Sequence, residues 1–443
     1  MNNLSTFFKY VLLGNLFFMV WGGNHINECT KIPKTALESH LATKTPYRVI
    51  ANRNDSQLNY PGCVPIRIWS IVRHGTRNPS KKVIKKAKND LSILRKRILS
   101  SQKTKLCEKE LSLFRNWNFN LGESEEKYLV YEGEMELIEL AARMQNRFPE
   151  VLYDYYDPDH YKFKYTATQR TLRSAESFAT GLFGRYNTDS ITYPEPMHRD
   201  PILRFYKLCD KWKLDVDKNP KSLIETKKFM ESDLMKKAIK YMVNKTGVKG
   251  ITSDDIQLIY TVCAFELAWY KRRFSPWCTL FDDETIQILE FARDLEYYWI
   301  DGYGYELTHK QACSAFSDMF SHISPNSSYP NATFYFTHSG TILKFLSHLG
   351  LHKDNFVLTH KDFLKERKWK TSEIDAFASN IAFVTYSCED ESYKILVLHQ
   401  EKVVHLPGCP KDSDLCDLKQ IKHSFRNSLE KCDFDEICKI SSS

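Results

Sequence analysis

The sequence lacks the patterns by which several classes of protein are recognised. Its twelve cysteines include no C-x-x-C pair, the spacing typical of structural zinc sites. No nucleic-acid-binding motif accompanies the net charge of +8. After Trp21 no apolar run is long enough to cross a bilayer, and neither an internal repeat nor a long disordered tract is visible. The sequence therefore disfavours a zinc protein, a nucleic-acid-binding protein and an integral membrane protein.

The N-terminus has the composition of a secretory signal peptide, which we assign to residues 1–23. Lys9 precedes the apolar residues 10–21, a stretch too short for a membrane span, and Gly22-Gly23 offers small residues for cleavage. A buried N-terminal helix is the alternative interpretation. Residues 440–443 carry neither a retention tetrapeptide nor a hydrophobic tail. We therefore expect secretion to the extracellular space, without a stable membrane anchor.

The even number of cysteines agrees with export, because disulfides form in oxidising compartments. Four cysteines are expected to staple a C-terminal segment that is short of apolar residues, although spacing alone leaves their pairing open: Cys409, Cys416, Cys432 and Cys438. Four N-x-S/T sequons after the signal peptide would be glycosylated in an exported chain. They begin at Asn54, Asn244, Asn326 and Asn331.

One heptapeptide is the most informative segment of the chain. The β-branched run 66–72 predicts a buried strand, and Arg73-His74-Gly75-Thr76-Arg77-Asn78-Pro79 follows it directly. Charged side chains at the carboxyl end of a strand lie where open α/β sheets form binding crevices. Arginine forks fit phosphate oxygens, and an imidazole can attack phosphorus. A basic surface turn is the alternative for Arg-His-Gly alone, but the longer pattern R-H-G-x-R-x-P is much rarer.

The heptapeptide resembles the signature of the histidine acid phosphatases, the branch of the histidine phosphatase superfamily that includes the phytases. Two further segments occur in the order of that family. Residues 168–175 resemble its Arg-Thr-x-x-Ser-Ala segment, and residues 334–338 form a predicted strand that ends in histidine. Other stretches, among them 275–278 and 345–350, resemble the multiple inositol polyphosphate phosphatases. This resemblance implies removal of phosphates from phytate and lower inositol polyphosphates and, in some members, from 2,3-bisphosphoglycerate.

The resemblance also implies a role for each residue of the site. His74 would be the nucleophile and would form a phosphohistidine, while its other ring nitrogen donates to a carbonyl such as that of Gly75. His338 would be a second catalytic residue, supplying a further donor. Three residues would bind the substrate phosphate: Arg73, Arg77 and Arg170. No metal and no cofactor are expected, because the arginines supply the positive charge.

One departure from the family pattern concerns the proton donor. Acid phosphatases carry Asp directly after the second histidine, and the inositol phosphatases carry Ala-Glu, whereas this chain has His338-Ser339-Gly340-Thr341. Gly340 thus replaces the expected acid. General acid catalysis contributes roughly 10²–10⁴-fold, so we expect a slowed enzyme rather than an inactive one. A carboxylate from elsewhere in the chain, or the phosphates of the substrate, would then deliver the proton.

Strand and helix patterns predict an α/β fold with an inserted helical domain. Strand-loop-helix units at both ends favour a parallel-type central sheet flanked by helices, the phosphoglycerate-mutase-like architecture that histidine acid phosphatases share. We place the first part of this phosphatase domain at 24–199 and the second part, with the stapled tail, at 285–443. Residues 200–284 are dominated by helical periodicity and would form an α-helical cap.

A basic amphipathic helix is predicted within residues 81–105, where lysines and arginines alternate with apolar residues at helical spacing. Two interpretations stay open, a solvated helix face and a positive field that attracts a polyanionic small molecule.

The leading functional hypothesis is a secreted inositol polyphosphate phosphatase. A pseudoenzyme that sequesters polyphosphates is the second; the missing acid favours it and the complete set of arginines and histidines argues against it. An exported acid phosphatase acting on simpler monoesters is the third.

Overall fold

The structure, a computed structural model, describes residues 32–440, so the predicted signal peptide lies outside it. Within these residues seven strands form one sheet in the order β2-β3-β1-β4-β5-β6, with β7 paired to β5. The strands are β1 (Cys63–Arg73), β2 (Tyr161–Tyr165), β3 (Ala332–Thr337), β4 (Asn380–Cys388), β5 (Tyr393–His399), β6 (Lys402–Val403) and β7 (Leu415–Asp417). The strands predicted at 66–72 and 334–338 are therefore confirmed, with small shifts at their ends.

The sheet is mixed, which differs from the parallel-type sheet that we predicted. Strands β2, β3 and β1 are parallel, whereas β4 runs antiparallel to β1 and β5 antiparallel to β4. Only residues 389–392 join β4 to β5, and so short a connection permits a hairpin but no crossover to a parallel strand. The parallel half of the sheet brings the carboxyl ends of β1 and β3 together.

Helices account for most of the remaining structure in residues 32–440. They are α1 (Lys34–Glu38), α2 (Lys81–Lys86), α3 (Ser92–Ser100), α4 (Glu108–Asn116), α5 (Tyr131–Arg147), α6 (Gln169–Phe183), α7 (Asp210–Trp212), α8 (Ile224–Met230), α9 (Asp233–Thr246), α10 (Ser253–Trp269), α11 (Asp283–Asp301), α12 (Glu306–Lys310), α13 (Cys313–Ile323), α14 (Ser339–His348), α15 (Thr371–Ile374), α16 (Leu418–Ser424), α17 (Arg426–Glu430) and α18 (Phe434–Cys438). A π-helical turn, Ala87–Leu91, joins α2 to α3 and gives the predicted basic helix. Among the described residues no helix is both long and apolar enough for a transmembrane segment.

The apolar core has three main parts. One lies between α5, α6 and one face of the sheet, and a second lies between α13, α14, residues 203–216 and the opposite face. The third lies among the helices α1–α4 and α8–α11, and we call these helices the helical layer. The helical layer thus includes segments before residue 200 as well as most of the predicted cap, whose boundaries at 200 and 284 stay predictions.

Five disulfides are present among the described residues. They join Cys63 to Cys388, Cys209 to Cys438, Cys263 to Cys278, Cys313 to Cys432 and Cys409 to Cys416. The four C-terminal cysteines do staple the tail: two of them pair with each other and two reach back to residues 209 and 313. The tail is thereby fixed beside the second core.

Candidate active site

His74 lies directly after β1, where the strand ends of the parallel half meet. Its backbone N–H donates to the Thr337 carbonyl over 3.0 Å, and only 3% of the residue is exposed. The ring Nδ1 donates to the Gly75 carbonyl over 2.9 Å, as predicted. Because a carbonyl only accepts, Nδ1 carries the proton and the lone pair of Nε2 is available to attack an electrophile.

The electrostatic surroundings keep this imidazole neutral. Burial lowers the pKa of His74 well below its ordinary value, and the positive charges of Arg170, Arg73 and Arg77 lower it further. A histidine in such surroundings stays unprotonated in mildly acidic solution. His74 therefore has the protonation state that a nucleophile needs.

The turn that carries His74 is held against the first turns of α5. The buried Glu136 carboxylate accepts from the Thr76 N–H over 2.7 Å and from the Thr76 hydroxyl over 2.9 Å. Val130 N–H donates to the Thr76 carbonyl over 3.1 Å. Gly75 and Gly133 approach so closely that a Cβ added to Gly75 would lie 2.4 Å from the Gly133 oxygen. Glycine is required at this contact because the two backbones touch.

The segment predicted to follow the family pattern at 168–175 forms the start of α6. Ser174 Oγ accepts from the Gly75 N–H over 3.2 Å and donates to the Arg170 carbonyl over 2.7 Å. This serine therefore ties the turn of His74 to the first turn of the helix. Arg170, the second residue of α6, is thereby placed beside the strand ends.

His338 is the N-cap residue of α14, directly after β3. Arg170 Nη2 lies 3.2 Å from its Nδ1, and Thr166 Oγ1 lies 2.9 Å from its Nε2. A guanidinium can only donate, so Nδ1 of His338 accepts the hydrogen bond from Arg170. Nε2 therefore carries the ring proton and donates a hydrogen bond to Thr166 Oγ1. The rings of His338 and His74 are 5.6 Å apart between centroids. With the proton on Nε2, the neutral His338 ring orients Arg170. His338 could donate a hydrogen bond to a phosphate from Nδ1 only after that nitrogen gains a proton.

The arginines leave strong donors without acceptors. In residues 32–440 no carboxylate oxygen lies within 4.0 Å of the guanidinium nitrogens of Arg77 or Arg170, whereas Arg73 Nη1 lies 3.5 Å from Asp375 Oδ2. Burial and the neighbouring arginines lower the pKa of Arg77 to about 9, and burial with the nearby Arg204 lowers that of Arg170 to about 10. The Nε atoms of four arginines are buried without a hydrogen-bond partner in this part of the chain: Arg73, Arg77, Arg170 and Arg204.

We call these four residues the arginine cluster. Buried donors are rarely left unpaired in folded proteins, and concentrated positive charge in a buried site favours an anion. The N-termini of α6 and α14 meet where Arg170 contacts His338, and their dipoles add positive potential there. The arrangement can bind a phosphate group beside a neutral imidazole.

The structure thus brings together all five residues that the sequence nominated, and it adds two that sequence reasoning missed. Arg204 comes from the segment between α6 and α7, where no motif marks it. Asp375 is 0% exposed, and its carbonyl accepts from Arg73 Nη1 over 2.5 Å. The sequence offers one indication of this residue: it is the single carboxylate in the otherwise apolar run 374–378. A charge in such a run is expected to be buried, and a buried charge needs a partner.

The basic helix is partly neutralised at its start. Lys81 and Lys85 lie 3.1 and 3.5 Å from the Glu123 carboxylate. Its apolar residues Ile84 and Ile98 are buried in the helical layer, so the predicted amphipathic character is confirmed. Its effect on polyanions stays a prediction.

Comparison with known proteins identifies the family. The family model of the histidine phosphatase superfamily (branch 2) matches residues 68–400. The chain belongs to this branch of the histidine phosphatases. Within it, a protein named multiple inositol polyphosphate phosphatase 1 from Drosophila melanogaster is 34% identical over 403 residues, which cover 87% of this chain and 84% of the relative. The human protein of the same name is 27% identical, over 92% of this chain and 90% of its own length.

Solved structures of a phytase and of a multiple inositol polyphosphate phosphatase share the fold. The phytase from D. castellii superposes with a TM-score of 0.75 at 18% identity, covering 91% of this chain and 87% of that chain. A Bifidobacterium longum multiple inositol polyphosphate phosphatase in complex with inositol hexasulfate gives 0.67 at 16% identity, covering 87% and 97%. The predicted family, the α/β architecture and the assignment as a phosphatase are therefore confirmed. The individual roles of the site residues stay predictions.

Proposed function

We propose that this histidine phosphatase is a secreted phosphomonoesterase that hydrolyses inositol polyphosphates, phytate and its lower phosphates, through a phosphohistidine at His74. The observation that carries the proposal is the arginine cluster, whose buried Nε donors lack acceptors, around a histidine held neutral. The substrate class is supported by the names of the relatives at 34% and 27% identity.

The first step transfers the phosphoryl group to the protein. The Nε2 lone pair of His74 forms a bond to phosphorus while the bond from phosphorus to the alkoxide oxygen breaks. The arginine cluster would hold the non-bridging oxygens, where charge-assisted hydrogen bonds are strong because water is excluded. The Gly75 carbonyl stabilises the positive imidazole through the Nδ1–H. The departing alkoxide takes up a proton.

The second step releases phosphate. Water attacks the phosphorus of the phosphohistidine and loses a proton, while the bond to Nε2 breaks and restores neutral His74. The same donors neutralise the phosphoryl oxygens in both steps, so no rearrangement of the cluster is needed between them.

A second layer of positive charge favours a substrate with several phosphates. Burial and the positive charges of Arg293, Arg77 and Arg73 together lower the pKa of Lys44 to about 7. Lys44 Nζ donates to Thr43 Oγ1 over 3.2 Å and lies 5.8 Å from the ring centroid of Tyr297. A monophosphate would use only the arginine cluster, whereas a polyphosphate would also use Lys44 in its protonated form.

One observation favours a second candidate function. Gly340 offers no proton donor, which a polyphosphate-binding pseudoenzyme would not need. Phosphate release from phytate between pH 3 and 8 distinguishes the two functions. We expect turnover by the wild type and none by His74→Ala, with wild-type far-ultraviolet circular dichroism for both. Phytate binding without turnover by the wild type would favour the pseudoenzyme, and equal turnover by the variant would overturn the nucleophile.

The substrate class and the covalent step each have a direct test. Rapid acid quench during turnover of radiolabelled substrate should trap phosphate on His74, and label on a serine would contradict the mechanism. Higher kcat/KM for phytate than for simple alkyl monophosphates would support the inositol polyphosphate assignment. The reverse order would favour a general secreted acid phosphatase.

Secretion and glycosylation are proposed from the sequence, with support from the disulfides. Asn54, Asn244 and Asn326 are exposed and Asn331 is half-buried, so all four sequons are open to modification at least in part. Expression in cultured eukaryotic cells should yield protein in the medium, and endoglycosidase treatment should lower its apparent mass. Retention of all the protein inside the cells would contradict the assignment.

A further inference from the structure

A hydrogen bond next to the second histidine offers a replacement for the missing acid. Ser339 is the first residue of α14 and directly follows His338. Its Oγ donates to Asp375 Oδ2, and the serine is half-buried whereas Asp375 is fully buried. Arg73 Nη1 lies 3.5 Å from the same Asp375 oxygen. The hydroxyl of Ser339 therefore contacts a buried carboxylate that also neighbours Arg73, at the residue directly after His338.

Asp375 has an unused oxygen. Its Oδ1 is buried and has no hydrogen-bond partner among residues 32–440. An ionised carboxylate in such a place lacks part of its solvation, which favours protonation. When Asp375 is protonated, Oδ2 can carry the proton and donate it to Ser339 Oγ, which leaves the serine hydroxyl proton free for another acceptor.

The charged groups around Asp375 come from several elements. Arg73 at the end of β1 and Lys44 from the segment after α1 favour the carboxylate form, whereas Asp301 at the end of α11 favours the protonated form. Burial is the largest effect; it outweighs the two cations and the hydrogen bond from Ser339, and it raises the pKa of Asp375 to about 6. A carboxyl with that pKa gives up and regains its proton in the mildly acidic range.

Asp301 is the other carboxylate beside the missing acid, and it is less suited to the task. A Cβ added to Gly340 would lie 3.1 Å from Asp301 Oδ1. That oxygen is ion-paired with the ammonium of Lys344, which is fully buried and lies 4.2 Å from the ring centroid of Trp212. Asp301 is therefore already engaged as the ion-pair partner of Lys344.

We propose that Ser339 and Asp375 form a proton relay that replaces the acid absent at Gly340. The inference rests on the proposed phosphohistidine mechanism. As the bond from phosphorus to the leaving oxygen breaks, the Ser339 hydroxyl gives its proton to that oxygen and takes the proton of Asp375. Asp375 becomes a carboxylate beside Arg73. In the second step the attacking water returns a proton to Asp375 through Ser339, so each turnover restores the starting state.

The relay predicts one effect that would not be expected if Ser339 and Asp375 had a purely structural role. A proton donor is needed only when the leaving alkoxide is basic, since an activated aryl oxide departs without protonation. Loss of the relay should therefore slow the hydrolysis of alkyl phosphates and spare that of 4-nitrophenyl phosphate. Damage to the arginine cluster would slow both reactions alike.

The test compares Ser339→Ala, Asp375→Asn and Ser339→Thr in the full-length protein, with phytate and 4-nitrophenyl phosphate as substrates. We expect Ser339→Ala to lose roughly 10²-fold or more in kcat for phytate and less than threefold for the aryl ester. Asp375→Asn, which also changes the partner of Arg73, should lose more in kcat for phytate than for the aryl ester. Ser339→Thr keeps the hydroxyl and should recover most of the phytate activity. Ser347→Ala is the matched control, because this residue of the same helix α14 has a buried Oγ without a partner in the described part of the chain.

The outcomes separate the relay from the mechanism on which it rests. In the wild type the kcat for phytate should rise as the pH falls through about 6, and this rise should be absent in Asp375→Asn. Equal losses on both substrates, or an unchanged kcat for phytate in Ser339→Ala, would overturn the relay. Absence of trapped phosphohistidine in a wild type that hydrolyses the aryl ester would instead overturn the proposed mechanism.

Discussion

The contact between the turn of His74 and helix α5 leads to a prediction for Gly133→Ala. Gly133 is the third residue of α5, where alanine would ordinarily favour a helix by up to about 1 kcal/mol. A Cβ at this position would lie 2.2 Å from the Thr76 carbonyl oxygen and 2.7 Å from the Thr76 nitrogen. Both are backbone atoms, so no side-chain rotation can relieve the contact.

The size of the effect follows from these distances. Restoring an ordinary contact requires the turn and the helix to separate by about 1 Å, and such overpacking costs about 1–3 kcal/mol. The cost exceeds the gain in helix propensity, so the free energy of unfolding should fall by about 1–2 kcal/mol. Thr76 is two residues from His74, and displacement of a reacting group by about 1 Å costs on the order of 10²-fold in rate. We expect kcat to fall by roughly 10- to 100-fold.

Denaturant unfolding and phosphate release from phytate measure the two effects. Glu134→Ala, the next residue of the same helix, is the matched control, because its ion pair with Arg173 at 3.2 Å is at the surface. That variant should change stability by less than about 0.5 kcal/mol. A Gly133→Ala protein as stable as the wild type, with kcat within twofold, would refute the argument that this contact positions the nucleophile.

Three further predictions concern other parts of the molecule. Gly340→Glu in a Ser339→Ala background should restore turnover of alkyl phosphates, because it returns a carboxyl to the position two residues after His338 where the family pattern has its acid. Replacing Cys209 and Cys438 by serine should lower the free energy of unfolding by about 2–5 kcal/mol, since their disulfide spans 229 residues. The KM for phytate should fall between pH 8 and 6, because a lysine with a pKa of about 7 gains its charge as the pH falls, and Lys44→Met should remove this dependence.

Each of these predictions has its own check. A Gly340→Glu, Ser339→Ala protein that gains on aryl and alkyl esters alike would show that the new carboxyl does not donate a proton. Removal of the Cys409–Cys416 disulfide, which spans 7 residues, should cost less than removal of the long-range pair, because loop-closure entropy grows with loop length. An unchanged KM profile in Lys44→Met would exclude this lysine from substrate binding.

The site residues that could be predicted are those that neighbouring positions in the sequence identify. Arg73, His74 and Arg77 share one strand-to-helix turn, and Arg170 and His338 each follow a strand at the start of a helix. Period-2 and period-3.6 patterns placed those elements within a few residues, because burial on one face imposes the pattern.

The residues that were not predictable depend on pairings between distant segments. The apolar run around Asp375 marks it as a buried carboxylate, but its partner Arg73 lies 302 residues away in the chain. Ser339 gains a role only through the contact of its hydroxyl with that carboxylate. Arg204 comes from a segment with no motif. The antiparallel half of the sheet was missed for a related reason, since strand direction depends on the length of the connection between β4 and β5 and the alternation of residues does not encode it.

The central position of β1 affects how this protein is synthesised. β1 pairs on one side with β3 and on the other with β4. Ile68 is therefore synthesised well before its two partners, Ala332 and Val384. At ordinary translation rates the ribosome needs roughly 15–50 s to add the intervening residues. Throughout that interval neither edge of the apolar strand β1 has its partner strand. Cys63 also lacks Cys388, the cysteine with which it forms a disulfide. A chain truncated before β4 would therefore keep the parallel strands β2, β3 and β1 but lack the antiparallel half of the sheet and the Cys63–Cys388 disulfide.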